Sequence, residues 1–243
     1  MIDEPIPRRE PPISDAESVA RARVGQALRD LGHAFVARRA SVDKLTELAE
    51  RLEAAKDFLC LQPTRNQTYT KLALWTELVD YPQGRFEHAF EDRPVSGKAS
   101  PLGLDLEFHR HGDEIEAFVT FREAHEGAFG RSHGGLVAAL FDDVFGYVLG
   151  AIRQGAFTGE LTVRYVSATP LHSRLSCRVG LTEQDGRKLY MAGQLTEVSS
   201  GEVVATAKAT FIAVPPEVFD WLTDQRPAPP DEDVPADPAP STR

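Results

Sequence analysis

Apolar residues return every three or four positions in the first part of this chain and every two in the last, and the change falls near Pro101. Before it, Ser14 and Glu17 form an S-x-x-E capping pattern, which satisfies free amides at a helix start. Val24, Leu28, Leu31 and Phe35 follow at spacings of four, three and four, one stripe of a helix. Ser41 and Asp43 open a second helix with Leu45, Leu48, Leu52 and Ala55 on one side. Joined near Arg38–Ala40, the two predict a helical hairpin over 14–60. Its stripes need a cover: each other, the main domain or a second subunit. Residues 61–100 mix turn formers with the apolar patch Leu72-Ala73-Leu74-Trp75 and receive no assignment.

From Pro101 the period is two. Leu102, Leu104, Leu106 and Phe108 alternate with polar residues as a half-buried strand. His111-Gly112-Asp113 predicts a turn and Ile115 to Phe121 a second strand. Gly134 to Ala151 is a helix apolar on most sides, the mark of a buried one. Strands over about 157–168, 173–184, 187–198 and 202–214 complete the chain, with a tight turn at Asp185-Gly186. One long helix and six strands predict an α+β domain over 101–215, its sheet wrapped around the helix and one sheet face left for another subunit.

The chain has 243 residues, 42% hydrophobic and 26% charged, which suits a globular domain with a real core. Thirty-seven acids against 27 Lys and Arg leave a net charge of -10. Nucleic acid and anionic lipid are therefore not expected partners. Only Cys60 and Cys177 are present, so no disulfide framework is expected, and neither is a cluster with metal-ligand spacing. MIDEPIPRRE lacks a secretory pattern, and no uninterrupted apolar run approaches a membrane span. The expectation is a cytoplasmic protein without metal. Four prolines mark 1–13 as a flexible leader, and seven of the seventeen mark 216–243, with its acids, as a disordered tail.

The candidate chemistry lies at Glu126-Gly127-Ala128-Phe129-Gly130-Arg131-Ser132-His133-Gly134-Gly135, continuing into the buried helix. Glycines at a helix start allow close approach to the backbone. The first helical amides lack partners and, with the helix dipole, favour the oxygen charge that develops on an attacked carbonyl. Asp142 lies nine residues beyond His133, among Leu140, Phe141 and Val144, where a carboxylate is costly unless paired or poised to exchange a proton. Asp143, about 100° around the helix, is expected to face water or a subunit interface.

Gly-x-x-His-Gly-Gly, Asp142 at plus nine, Gly146, Thr158 sixteen residues after Asp142, the strand Leu161-Thr162-Val163-Arg164-Tyr165, Pro170 and the turn Asp185-Gly186-Arg187-Lys188 resemble the hot-dog-fold acyl-CoA thioesterases, in particular the PaaI-like group. The resemblance covers the chain from about Pro101, not the helices before it or the tail. It implies a hot-dog fold and hydrolysis of a fatty or aromatic acyl-CoA, with coenzyme A as part of the substrate and no other cofactor. It implies a homodimer or dimer of dimers, with the Asp of one subunit facing the helix start of the other. By position, Asp142 is the general base or nucleophile, His133, Gly134 and Gly135 hold the thioester carbonyl, and Thr158 positions the water or the carboxylate. Arg164, Val166, Ser176, Cys177, Asp185, Gly186, Arg187 and Lys188 line the coenzyme A path. Phosphates on coenzyme A need local cations on an acidic protein, which Arg164, Arg187 and Lys188 supply. Some relatives carry Asn or Gln where this chain has Gly127, and a basic residue and Pro where it has Val166 and Ala168. Two other functions fit the same pattern: a hot-dog enoyl-CoA hydratase or dehydratase, and a non-catalytic acyl-CoA-binding protein whose N-terminal helices meet a partner.

Overall fold

The computed structural model describes residues 15–63, 81–87 and 91–215. The leader, the patch at 72–75 and the tail lie outside these residues. Helix α1 spans Asp15–Ala37 and α2 Val42–Cys60. Ser41 caps α2, its hydroxyl accepting the Lys44 amide at 3.4 Å. The break at 38–41 falls where the spacing places it, but α2 buries none of its side chains. The hairpin is present as two helices and a joint, not as a pair that buries its stripes.

Seven strands form one antiparallel sheet: β1 (Gly84–Phe86), β2 (Glu107–His111), β3 (Glu114–Thr120), β4 (Ala156–Tyr165), β5 (Arg174–Asp185), β6 (Lys188–Glu197) and β7 (Val203–Ala213). Their order is β1-β2-β3-β5-β6-β7-β4, which leaves β4 an edge. Helix α3 (Gly134–Ala151) packs against the sheet. Its length and apolarity would let it cross a membrane, yet Val137, Leu140, Phe141, Val144, Phe145 and Val148 are spent on the core with Leu175, Leu189, Leu195 and Phe211. Each fully buried Leu, Val or Phe contributes about 1.5–3 kcal/mol.

Two turns follow the sequence. Gly112 and Gly186 take positive φ, 65° and 56°, where β2 meets β3 and β5 meets β6. One strand starts later than its alternation suggests. Leu104 and Phe108 are buried, but pairing begins only at Glu107. The preceding backbone bonds within itself, through Leu104 N–H to Val95 O at 2.6 Å and Ser100 N–H to Gly97 O at 3.0 Å, leaving no ladder to extend.

Candidate active site

A 3-10 turn at Glu123–His125 and the loop 126–132 deliver His133 to the start of α3. Gly127 N–H donates to Arg131 O at 2.9 Å, which closes the loop, and Ser132 N–H donates to Thr169 O at 2.9 Å. On the other side His133 N–H donates to His125 O at 2.8 Å. Phe129 stands fully exposed at the loop tip.

His133 is the N-cap of α3. Its Nδ1 accepts the Gly135 amide at 3.0 Å. That corrects one expectation, because Gly135 spends its amide on the cap and Gly134 is left as the helix-start donor. Tyr165, at the end of β4, lies over Gly134 and donates its hydroxyl to the Gly134 carbonyl at 2.8 Å. A Cβ on Gly134 would meet that ring at 3.1 Å, so glycine is what admits it. The Leu-x-Val-x-Tyr strand contained Tyr165, but nothing in the pattern gave it this contact.

Asp142 is exposed in the single chain rather than enclosed by Leu140, Phe141 and Val144. Thr158 Oγ1 donates to its Oδ1 at 2.9 Å, which brings together two residues sixteen apart. The buried carboxylate is its neighbour. Asp143 has 10% of its side chain accessible, with Oδ1 3.7 Å from Arg93 Nε and Oδ2 buried without a hydrogen bond. Burial pushes its carboxyl upward, against the pull of the Arg93 guanidinium. Arg93 also covers the ring of Tyr147 at 4.7 Å, and Tyr147 and Ser96 share a hydroxyl hydrogen bond at 2.8 Å. Asp143 thus faces the 91–105 segment, not water, because that segment brings a guanidinium to the back of α3.

The expected coenzyme A residues divide. Arg164, Val166, Asp185, Gly186, Arg187 and Lys188 are exposed, with Arg187 Nε donating to Ala213 O at 3.0 Å. Ser176 is half-buried and donates to Glu116 at 2.5 Å. Cys177 does not line a path, since it lies wholly in the core opposite Ala117, and burial pushes its thiol up. Strand alternation sends Leu175, Cys177 and Val179 inward together. Among the described residues no group of three or more His, Cys, Asp or Glu is placed to hold a metal ion.

A seven-stranded antiparallel sheet against one long central helix, entered through His-Gly-Gly, is the hot-dog architecture. Residues 129–209 match the thioesterase superfamily. A crystal structure described as a thioesterase superfamily protein superposes with a TM-score of 0.66 at 23% identity, over 79% of this chain and 94% of its own. Such a share exceeds the domain from 101 onward, so the common fold reaches beyond that domain. Acyl-coenzyme A thioesterase THEM4 of Bos taurus is 27% identical over 135 residues, 54% of this chain and 52% of that protein. Acyl-coenzyme A thioesterase THEM5 of Homo sapiens is 30% identical over 87 residues, 36% of this chain and 35% of that protein. The chain spans about half or less of the length of these curated relatives.

Proposed function

We propose that two copies of this chain pair to hydrolyse acyl-coenzyme A thioesters, Asp142 of one facing the Gly134 end of α3 in the other. The observation that carries this reading is the separation of the two groups within one chain. Eight residues of helix put them about 12 Å apart along the axis, too far to serve one carbonyl, yet Asp142 and the His133–Gly135 start both reach the surface. β4 is an open edge, and Phe157, Tyr165, Val166 and Phe129 are exposed near it or on the loop. Apolar surface and an unpaired edge suit a second copy better than water. The acyl-CoA thioesterase names of the two curated relatives support the same chemistry.

Thr158 engages Asp142 Oδ1, which leaves Oδ2 to accept a proton from water. The water oxygen bonds to the thioester carbon while the Gly134 amide and the α3 dipole hold the carbonyl oxygen. The C–S bond then breaks, the sulfur takes the proton back from Asp142, and free acid and thiol leave. Arg164, Arg187 and Lys188 are the exposed cations for the phosphates.

The test is a panel of fatty and aromatic acyl-CoAs with free thiol as the readout. Asp142→Asn should lower turnover by roughly 10²–10⁴-fold with unchanged melting and acyl-CoA binding. Near-normal turnover removes Asp142 from its role. Water loss or addition at an enoyl bond without thiol release favours the hydratase reading, and binding with neither favours a sensor.

A further inference from the structure

Helix α1 lies wholly outside the 129–209 match, but one of its side chains reaches the turn that feeds the site. His33 is 4% exposed. Its Nδ1 accepts the backbone amide of Ala124 at 3.1 Å. Its ring meets that of His125 edge-on, 4.6 Å between centroids at 88°. His125 Nδ1 in turn accepts the Arg122 amide at 3.0 Å, and the His125 carbonyl holds the His133 amide at 2.8 Å. A second tie runs beside the first, Arg122 Nη1 to Asp30 Oδ1 at 2.6 Å.

These contacts form a short physical chain: α1, the 3-10 turn, His133, the Gly134 amide. Both imidazoles accept a backbone N–H at Nδ1, so both are neutral with the proton on Nε2. Loop 126–132 has a separate anchor at Thr169, so without His33 the loop stays attached on one side and is loosened on the other. A loosened donor harms the transition state more than the bound substrate, because the charge it must meet develops only there.

We infer that His33 is a positioning residue for the carbonyl-binding start of α3, which makes α1 part of the site rather than an appendage; this rests on the thioesterase reading. It acts through His125 and touches no substrate. Two substitutions in the full-length chain separate its contributions. His33→Phe keeps a ring beside His125 and removes the acceptor for Ala124. His33→Asn places an amide oxygen near the Nδ1 position and removes the ring.

Backbone amide exchange over 122–135 and steady-state thiol release are measured together. For His33→Phe the Ala124 and His133 amides should exchange faster while those of β5–β7 do not change. Its kcat should fall by roughly tenfold with KM within twofold. His33→Asn should restore protection at Ala124 and part of kcat. Unchanged exchange and kcat in both variants overturn the inference, and so does a kcat loss that tracks faster exchange throughout the sheet. If His33→Phe does not fold, the Asn variant decides alone: lost protection at Ala124 with unchanged kcat refutes the role. A wild-type chain that releases no thiol ends the hydrolase reading and the catalytic half of this inference, while exchange at Ala124 and His133 still decides whether α1 holds the loop.

Discussion

Helices α1 and α2 stand four residues apart and carry apolar residues at the same three- and four-residue spacing, yet among the described residues only α1 is fastened to the domain. It is not fastened by its apolar stripe, for Val24, Leu28 and Phe35 remain exposed. The attached face is Arg21, Gly25, Arg29 and His33, each four residues after the last. Arg21 Nη2 donates to Asp92 at 2.6 Å. Arg29, 7% exposed, donates to Ser100 O at 2.7 Å and Lys98 O at 3.0 Å and pairs with Asp105 at 2.8 Å. A Cβ on Gly25 would meet Lys98 O at 2.5 Å, so the absence of a side chain there sets how near the helix lies. A loop offering carbonyls and carboxylates calls for donors, and α1 supplies them on one side while α2 has none so placed among the described residues. Hydrophobic periodicity predicts that a helix forms, while matched polar groups decide where it docks.

The largest blow to this asymmetry should come from Arg29→Met. It keeps the apolar stem and strips donors from Lys98 O, Ser100 O and Asp105. Unfolding in urea should show a loss of about 2–3 kcal/mol, with α1 the first element to lose exchange protection. An unchanged midpoint would mean that the polar face does not hold the helix.

Acid is the next perturbation. Burial holds His33 below its ordinary value and His125 down to about 4. Arg122 opposes protonation of both rings, while Glu123 and Asp105 favour it for both and Asp30 favours it at His33. Folded values below the unfolded one mean that the unfolded chain binds more protons between them, so stability is present above about pH 6.5 and falls as pH drops towards 4. Urea midpoints from pH 8 to 4.5 should decline, and less steeply in His33→Asn than in the wild type. Equal slopes would remove His33 from the acid response.

The smallest effect belongs to α2. Leu52→Ser on that helix should shift the midpoint by no more than about 0.5 kcal/mol at low protein concentration. A larger loss would mean that its leucines are covered in solution and would narrow the contrast with α1.

Much of the architecture was legible in the chain. Gly134 and Ala151 bound α3 because a two-glycine start and a continuous apolar run leave few other readings, and β5 to β7 follow their alternation to within a residue. A role for Thr158 in positioning the water or the carboxylate was implied by the resemblance, and the contact with Asp142 agrees with the second of these. What could not be read depended on partners far along the chain. Asp143 was sent to water or a subunit interface because Arg93 stands fifty residues before it. Gly135 was counted as a carbonyl donor because a ring folding back from His133 leaves no periodic trace. Cys177 was assigned by family position although its own strand parity, shared with Leu175 and Val179, points inward.

Arg93 has a consequence for the two adjacent acids of α3. Turning that helix by one residue, about 100°, to bring Asp143 to the Thr158 side would carry both acids away from the guanidinium and set Val144 against it. Either acid is chemically able to hold a water molecule. The arginine behind the helix breaks that tie, acting as a key in a slot that fixes the azimuth of the whole rod.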